Sequence, residues 1–581
     1  MTLVVLGIVL VVLARELLPP AVSLLGGLTI LVLARTIEPE VAFAGFSSEA
    51  TIAVGALFVV ARAIRDHVGI DAAMARFLGS SSSDRVVLVK LLLPTAAMSS
   101  VLANTPMVAA LAPMVRTWAE RHGRAASHFL IPLSFAAILG GLVTTIGTST
   151  NLVVSGLIES AGQEPFDFFE VLPLGLPVAI VGVALTIPLA PRLLPDRRSP
   201  HEQVASADRD YSFRLRVLPD GPLVGRSIED AGLRNLEDAF VVRIDRDGRE
   251  IAPVTPITGL MADDVLTLVG SVDHVRDLAD RPGLAIAESQ AGLLEGAGHT
   301  LWEAVIRTGS SLVGRTLKEA SFRGRYGGAV LAIHRAGHRL EGKLGAHPLH
   351  AGDALLVMAD QDYEDRVRWS GDFSIIVPLT DGEAPRTHGR LVTAASVLGL
   401  VAVAATGLLP LLHSILAAVV VLLLTRTITV EQARRAIDLD ILLIIAGAIG
   451  LGAAVAETGL ATELATIVTA LAGDSGLVVA LLLIVLATMA LTELVTNVAA
   501  AALMVPVAVD VAATIGADSR GLAVAVAIAA SSSFLTPVGY QTNTIVYGLG
   551  GYRFGDWWRL GAPITLAVIV VTLVVVPAVW G

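Results

Sequence analysis

A chain of 581 residues that is 54% hydrophobic and only 16% charged, with a mean hydropathy of +0.73, has the balance of a membrane protein and not of a soluble enzyme. Its net charge of -11 is unevenly spread: most charged residues fall between about residues 196 and 390, so the pattern reads membrane, soluble insert, membrane. Cysteine is absent, which excludes disulfides, thiolate metal sites and cysteine nucleophiles.

The opening Met1-Thr2-Leu3-Val4-Val5 has no basic region and no small-residue cleavage site, so a first span is expected in place of a removable signal. A span needs about 20 apolar residues. Spans are expected over residues 3–18, 20–33, 51–64, 129–157 (interrupted) and 171–193. Residues 86–115 are apolar but broken at Asn104-Thr105-Pro106. Proline removes a backbone donor and the polar pair favours an unwound turn, so a re-entrant helical hairpin is expected there. After the insert the pattern restarts: 392–408, 411–424, 441–455, a hairpin over 478–509 broken at Thr496-Asn497, an interrupted span over 522–549, and 562–579.

The halves align with each other. Leu17-Leu18-Pro19 matches Leu408-Leu409-Pro410, and Arg35-Thr36-Ile37 matches Arg426-Thr427-Ile428, both at an offset of 391. Asn104 matches Asn497 at 393, and Thr150-Asn151 matches Thr542-Asn543 at 392. Five crossings plus one hairpin per half force opposite orientations. The expected fold class is therefore a polytopic α-helical membrane protein of two inverted repeats, 1–195 and 391–581. Arg62, Arg65, Arg121, Arg124 and Arg192 fall in loops on one side of this arrangement, joined by Arg434, Arg435, Arg553 and Arg559. By the positive-inside rule that side is cytoplasmic, and the insert lies there with it.

The insert repeats internally at an offset of 89. Leu223-Val224-Gly225-Arg226 matches Leu312-Val313-Gly314-Arg315, and Asp264-Val265-Leu266 matches Asp353-Ala354-Leu355. Alternating residues around the turns Asp245-Arg246-Asp247-Gly248 and Ala336-Gly337 predict strands in hairpins. Two α+β domains are expected, over 211–278 and 301–368, with linkers at 199–210 and 287–298.

Almost no basic residue lies at mid-depth in the spans, so an anion must be held by other means. Half-helix N-termini carry partial positive charge and free N–H donors. Asn and Thr side chains add donors, and unwound carbonyls beside Asn104, Gly147, Asn497 and Gly539 suit sodium. Glu493 is an intramembrane carboxylate aligned with Ser100; it reads equally as a proton or cation site and as a hydrogen-bonded structural group. Asp438 and Asp440 are expected at a span end. Gly140-Gly141 is expected to permit close helix packing.

On the Asn104 and Asn497 tips and the Thr150-Asn151 and Thr542-Asn543 pairs, the chain resembles the divalent anion–sodium symporter family of the ion-transporter superfamily. The insert looks like two TrkA-C (RCK-C) domains. The family carries Ser-Asn-Thr at each tip; Ala103-Asn104-Thr105 and Thr496-Asn497-Val498 stand there in this sequence. The resemblance implies two or more sodium sites, one lined by Ser99, Asn104 and Gly147, the other by Thr492, Asn497 and Gly539. It implies substrate contacts from Asn104, Thr105, Thr150, Asn151, Thr496, Asn497, Thr542 and Asn543. Each tip has lost one hydroxyl, and family members with paired TrkA-C inserts look most like sulfate transporters.

The expected function is thus sodium-coupled symport of a small divalent oxyanion, sulfate first, by elevator-type motion, and not enzyme catalysis. A homodimer in the cell membrane is implied, in contact with lipid and with no nucleic acid as partner. By analogy with other TrkA-C domains, the insert takes a regulatory nucleotide. No Gly-x-Gly-x-x-Gly fingerprint precedes it, so NAD-type gating is not expected. The alternatives are a dicarboxylate symporter, an arsenite or cation–proton exchanger using Glu493, and a regulated channel.

Overall fold

The computed structural model describes all residues except 16, 80–82, 198–211, 234–238, 247–248, 252–253, 256, 271–282, 287–298, 308, 336–337, 341–343, 361–362, 368–369, 379–388 and 474–475. The expected linkers and the two insert turns at 247–248 and 336–337 fall outside the described residues. Two compact units emerge. One holds residues 1–196 with 383–547 and 552–581; the other holds 197–382 with 548–551.

The first unit is helical. Among the described residues, six helices are long and apolar enough to cross a membrane: Pro39–His67, Leu172–Leu193, Leu439–Glu457, Gly476–Leu494, Asn497–Ile515 and Phe554–Trp580. The helices Pro20–Leu33 and Leu411–Leu424 begin and end where the sequence places them. Pro19 and Pro410 are their N-caps, and just beyond each C-terminus Arg35 and Arg426 take φ 54°. A non-glycine residue in the left-handed region carries a steric cost, so both turns are fixed by their surroundings. The helices Glu49–His67 and Leu439–Glu457 are each 19 residues long. Ser48 caps the first by accepting from the Thr51 N–H at 3.3 Å, and Asp438 caps the second by accepting from the Ile441 N–H at 3.3 Å. Asp438 thus satisfies a helix end. The first predicted span, 3–18, is shorter in the structure, Thr2–Ala14.

Two short helices, Ile70–Leu78 and Leu460–Ala472, were not expected. Both start after a left-handed glycine, Gly69 (φ 60°) and Gly459 (φ 73°). They are too short to register as spans.

The polar breaks fall as follows. Helices Asp84–Ser99 and Asn104–Arg121 are joined by residues 100–103. The break therefore precedes Asn104-Thr105-Pro106, which open the next helix. Proline in a first turn forfeits no helical hydrogen bond, so it starts this helix instead of stopping one. Gly476–Leu494 and Asn497–Ile515 are joined at residues 495–496, with the Thr496 hydroxyl accepting from the Ala499 N–H at 3.3 Å. The interrupted spans are Ser127–Gly141 with Ser149–Ser160, and Ser519–Ser531 with Gln541–Gly550. Gly175 and Gly561 bring the helices Leu172–Leu193 and Phe554–Trp580 across these two interruptions. A Cβ at either would meet the carbonyl oxygen of Leu142 or of Phe534.

The second unit holds two five-stranded antiparallel sheets. The first comprises β1 (Ser212–Val217), β2 (Ala239–Arg246), β3 (Arg249–Ile251), β4 (Val265–Gly270) and β5 (Leu284–Ile286), ordered β3-β2-β4-β1-β5. The second comprises β6 (His299–Ile306), β7 (Ala329–Arg335), β8 (His338–Arg339), β9 (Ala354–Asp360) and β10 (Phe373–Pro378), ordered β10-β6-β9-β7-β8. Strands β5 and β10 lie beyond the expected domain limits of 278 and 368. Each sheet buries its own apolar cluster, around Leu215, Ile244 and Leu266 in one and Trp302, Ile333 and Leu355 in the other.

The aspartates of the internal repeat have a common role. Arg246 makes paired 2.8 Å bonds to Asp264, and Arg335 bonds Asp353 at 2.8 and 2.7 Å. Each carboxylate also accepts from a backbone N–H, of Met261 at 2.7 Å or His350 at 2.8 Å. Asp264 is 0% and Asp353 1% exposed. A bidentate pair this buried depends on both partners, and removing one costs about 3–5 kcal/mol. Asp353→Ala in the full chain is therefore expected to raise amide exchange across β7 and β9 strongly. The same substitution at the exposed Asp360–Arg366 pair (side chains 44% and 45% exposed) should change it little.

Candidate functional site

The helical unit contains two matching polar constructions. In the first interruption, residues 142–148, the Asn151 amide donates back to the carbonyls of Thr144 (3.0 Å) and Gly141 (3.4 Å). In the second, residues 532–540, the Asn543 amide donates to the carbonyls of Thr536 (3.3 Å) and Ser533 (2.9 Å). An interrupted helix strands backbone carbonyls in a medium without water, and each must find a donor. The asparagine one turn into the following helix supplies it. That explains why Asn recurs with a fixed spacing in both halves.

Both asparagines, with Thr150 and Thr542, are at most 1% exposed. The two asparagine amides hold the breaks in shape. Ser134 adds to the second break, donating within reach of Asn543 Oδ1 (2.7 Å) and Thr542 Oγ1 (2.9 Å).

Each tip abuts an interruption. Ser99 lies 2.6 Å from the Asn104 side chain, which also reaches the Tyr540 hydroxyl at 2.8 Å. The amide orientation that satisfies every neighbour turns the nitrogen towards Ser99 Oγ (2.6 Å) and the carbonyls of Gly147 (3.1 Å) and Ala137 (3.2 Å), with the oxygen accepting from Tyr540. Ser99, Asn104 and Gly147 are thus one cluster. Gly141 is part of it, because a Cβ there would lie 2.6 Å from the Asn104 amide.

At the second tip Thr492 Oγ1 lies 3.0 Å from Asn497 Oδ1 and 2.6 Å from the Ala530 carbonyl. Glu493 accepts from the Leu535 N–H (2.9 Å) and from the Thr536 hydroxyl (2.7 Å), and the Gly539 N–H donates to that hydroxyl at 3.1 Å. Glu493 therefore ties the tip to the second interruption. In the first half Thr144 donates instead to the backbone carbonyl of Ser100, so the same link is made without a carboxylate.

The halves meet at these elements. Asn104 and Thr148 both reach Tyr540, the latter at 3.0 Å, and Thr105 donates to Gln541 at 3.2 Å. The helix Asn497–Ile515 packs against Ser149–Ser160, which carries Thr150 and Asn151. Two residues escape sequence reasoning. Tyr540 occupies the position of Thr148 at an offset of 392, so the internal alignment pairs them, but the residue types differ. Ser134 is a lone hydroxyl in an apolar run and gives no signal.

Oxygen-rich tips held against broken helices, with uncharged donors around them, suit small ions in place of a covalent reaction. Residues 8–530 match the citrate transporter family, CitMHS. A putative sulfur deprivation response regulator of Chlamydomonas reinhardtii is 32% identical over 565 residues, covering 95% of this chain and 97% of that protein. The uncharacterized transporter sll0640 of Synechocystis is also 32% identical, over 100% of this chain and 97% of its own length. Sodium/sulfate cotransporter 1 of C. reinhardtii is 31% identical over 397 residues, 62% of this chain and 44% of that one. The chain is a multi-pass membrane transporter and belongs to the citrate transporter (CitMHS) family.

Proposed function

We propose that this chain is a sodium-coupled symporter of a small divalent oxyanion of the sulfate class. The observation that carries the reading is the duplicated construction of tip and interruption, joined across the halves at Tyr540. In this reading the halves are inverted repeats, each a set of crossings with one re-entrant pair. Sodium is held by Ser99, Asn104 and Gly147 and by Thr492, Asn497 and Gly539, and bound cations create the positive field that an oxyanion needs. Asn104, Thr105, Thr496 and Asn497 contact the anion, while Thr150, Asn151, Thr542 and Asn543 fix the half-helix ends towards it. The tips and interruptions move together against the other spans, elevator fashion. Relatives named sodium/sulfate cotransporters support the choice of ions.

The second unit, in this reading, is a cytoplasmic pair of TrkA-C domains in a homodimer of the cell membrane. It takes a regulatory nucleotide and biases transport by binding one conformation more tightly. A tricarboxylate or dicarboxylate is the second reading, favoured by the family to which the chain belongs. Uptake of radiolabelled sulfate into proteoliposomes separates the two. An inward sodium gradient should drive saturable uptake that unlabelled sulfate abolishes and citrate does not. Uptake indifferent to sodium, or competed by citrate alone, overturns the sulfate reading.

A further inference from the structure

We propose that Tyr540 is a positioning residue that transmits cation occupancy at the first tip to the anion-binding end of the helix Ser149–Ser160. The proposal rests on the sodium-coupled reading above and adds the path by which one ion senses the other.

The Asn104 side chain finds partners in two orientations. With nitrogen facing Ser99, it donates to a cluster of oxygens: Ser99 Oγ at 2.6 Å, the Gly147 carbonyl at 3.1 Å and the Ala137 carbonyl at 3.2 Å. The amide oxygen then accepts from the Tyr540 hydroxyl at 2.8 Å. With oxygen facing Ser99, it accepts from Ser99 Oγ and the amide nitrogen donates to Tyr540 Oη. This second orientation sets the amide oxygen against two carbonyl oxygens. Bare oxygens that close repel, and a cation among them turns the repulsion into ligation. A sodium ion therefore selects the second orientation, and its departure selects the first.

Tyr540 must follow. Its single proton goes to Asn104 in the cation-free orientation, and Thr148 then donates to Tyr540 Oη across their 3.0 Å contact. When the amide turns, Tyr540 Oη accepts from Asn104, so its proton swings to Thr148 Oγ1. Thr148 now accepts, and its own O–H is released. Thr148 is the N-cap of Ser149–Ser160 and makes no side-chain capping bond to that helix. Its freed O–H adds a donor at a helix end whose field already favours an anion. Cation binding thus raises anion affinity with no displacement beyond an amide turn and two hydroxyl rotations. The second half lacks this relay. There the position of Thr148 is Tyr540 itself, and Thr492 directs its hydroxyl to Asn497 and Ala530.

By linkage, sodium and anion must strengthen each other by the same factor. The test measures half-saturating sodium for sulfate uptake in proteoliposomes, at low and at saturating sulfate. In the native chain saturating sulfate should lower it about tenfold. Tyr540→Phe keeps the ring and removes the relay, and should bring the ratio within about twofold of one. Thr148→Val should do the same, and the double variant should lose no more coupling than either single one. A merely structural role would shift maximal uptake and leave the ratio intact. The relay is overturned if either variant keeps the native ratio, or if the two losses add. Thr148→Val decides the question if Tyr540→Phe does not fold. Absence of any sodium dependence in the native chain removes the symport reading itself, a result distinct from loss of coupling in the variants.

Discussion

Replacing Asn543 with alanine is expected to abolish transport and destabilise the helical unit by about 2–6 kcal/mol, whereas Asn151→Ala should cost less. The two asparagines hold equivalent interruptions but are not equally satisfied. Asn543 donates to the carbonyls of Ser533 and Thr536, and its oxygen accepts from Ser134. Alanine would leave those two carbonyls without their donor in a buried site, each at about 1–3 kcal/mol, while Ser134 keeps Thr542 Oγ1 within reach at 2.9 Å. Asn151 makes the corresponding two donations, but its oxygen has no hydrogen-bond partner. Val526 stands in the second half where Ser134 stands in the first, so no hydroxyl is available from that position. Midpoints of unfolding in mild detergent, with uptake rates, check the order. Equal losses, or a larger loss at Asn151, would show that these bonds do not set the rigidity of the breaks.

Gly141→Ala is expected to eliminate sodium-dependent uptake, by about 100-fold or more, while the protein still folds. Its neighbour Gly140→Ala should instead weaken folding. At Gly140 a Cβ would run into the Ala96 backbone, and a backbone cannot yield without parting two helices. At Gly141 the three atoms nearest to a Cβ, at 2.6 to 3.1 Å, all belong to the Asn104 side chain. A side chain can swing aside, but Asn104 then leaves Ser99 and Gly147, and a misplaced ligand of about 1 Å costs roughly 100-fold in function. Circular dichroism melts and sodium titrations of uptake separate the two outcomes. Gly141→Ala with native sodium dependence would place the cation elsewhere.

The duplicated polar spacings were the most legible part of the sequence, because a polar group inside an apolar helix needs a reason and a repeated one needs the same reason twice. Asn104 with Asn497 and Asn151 with Asn543 are positioned alike in the structure for that cause. Helix ends were legible where a proline begins the helix, as at Pro20–Leu33. They were not legible where only a helical cap ends it, as at Thr2–Ala14. The division of labour within the site was hidden. Thr150, Asn151, Thr542 and Asn543 read as substrate contacts; that the two asparagines also bond the broken backbone was hidden, since sequence cannot show which side of a half-helix faces protein. Tyr540 was hidden because its partners, Asn104 and Thr148, lie 436 residues and 392 residues away in the chain. In the insert, the repeat at 89 marked Asp264 and Asp353, and the same offset joins Arg246 to Arg335. The ion pairs became visible only once β2 and β4, and β7 and β9, were seen side by side.

In the proposed mechanism both tips contribute to a single ion-dependent site. Calorimetric titration of sulfate into the purified full chain, in sodium chloride and in choline chloride, tests this most directly. Saturable binding should occur in sodium and vanish in choline, and Asn104→Ala and Asn497→Ala should each remove it in sodium. Binding that persists without sodium, or that survives the loss of either asparagine, would contradict a site shared between the halves.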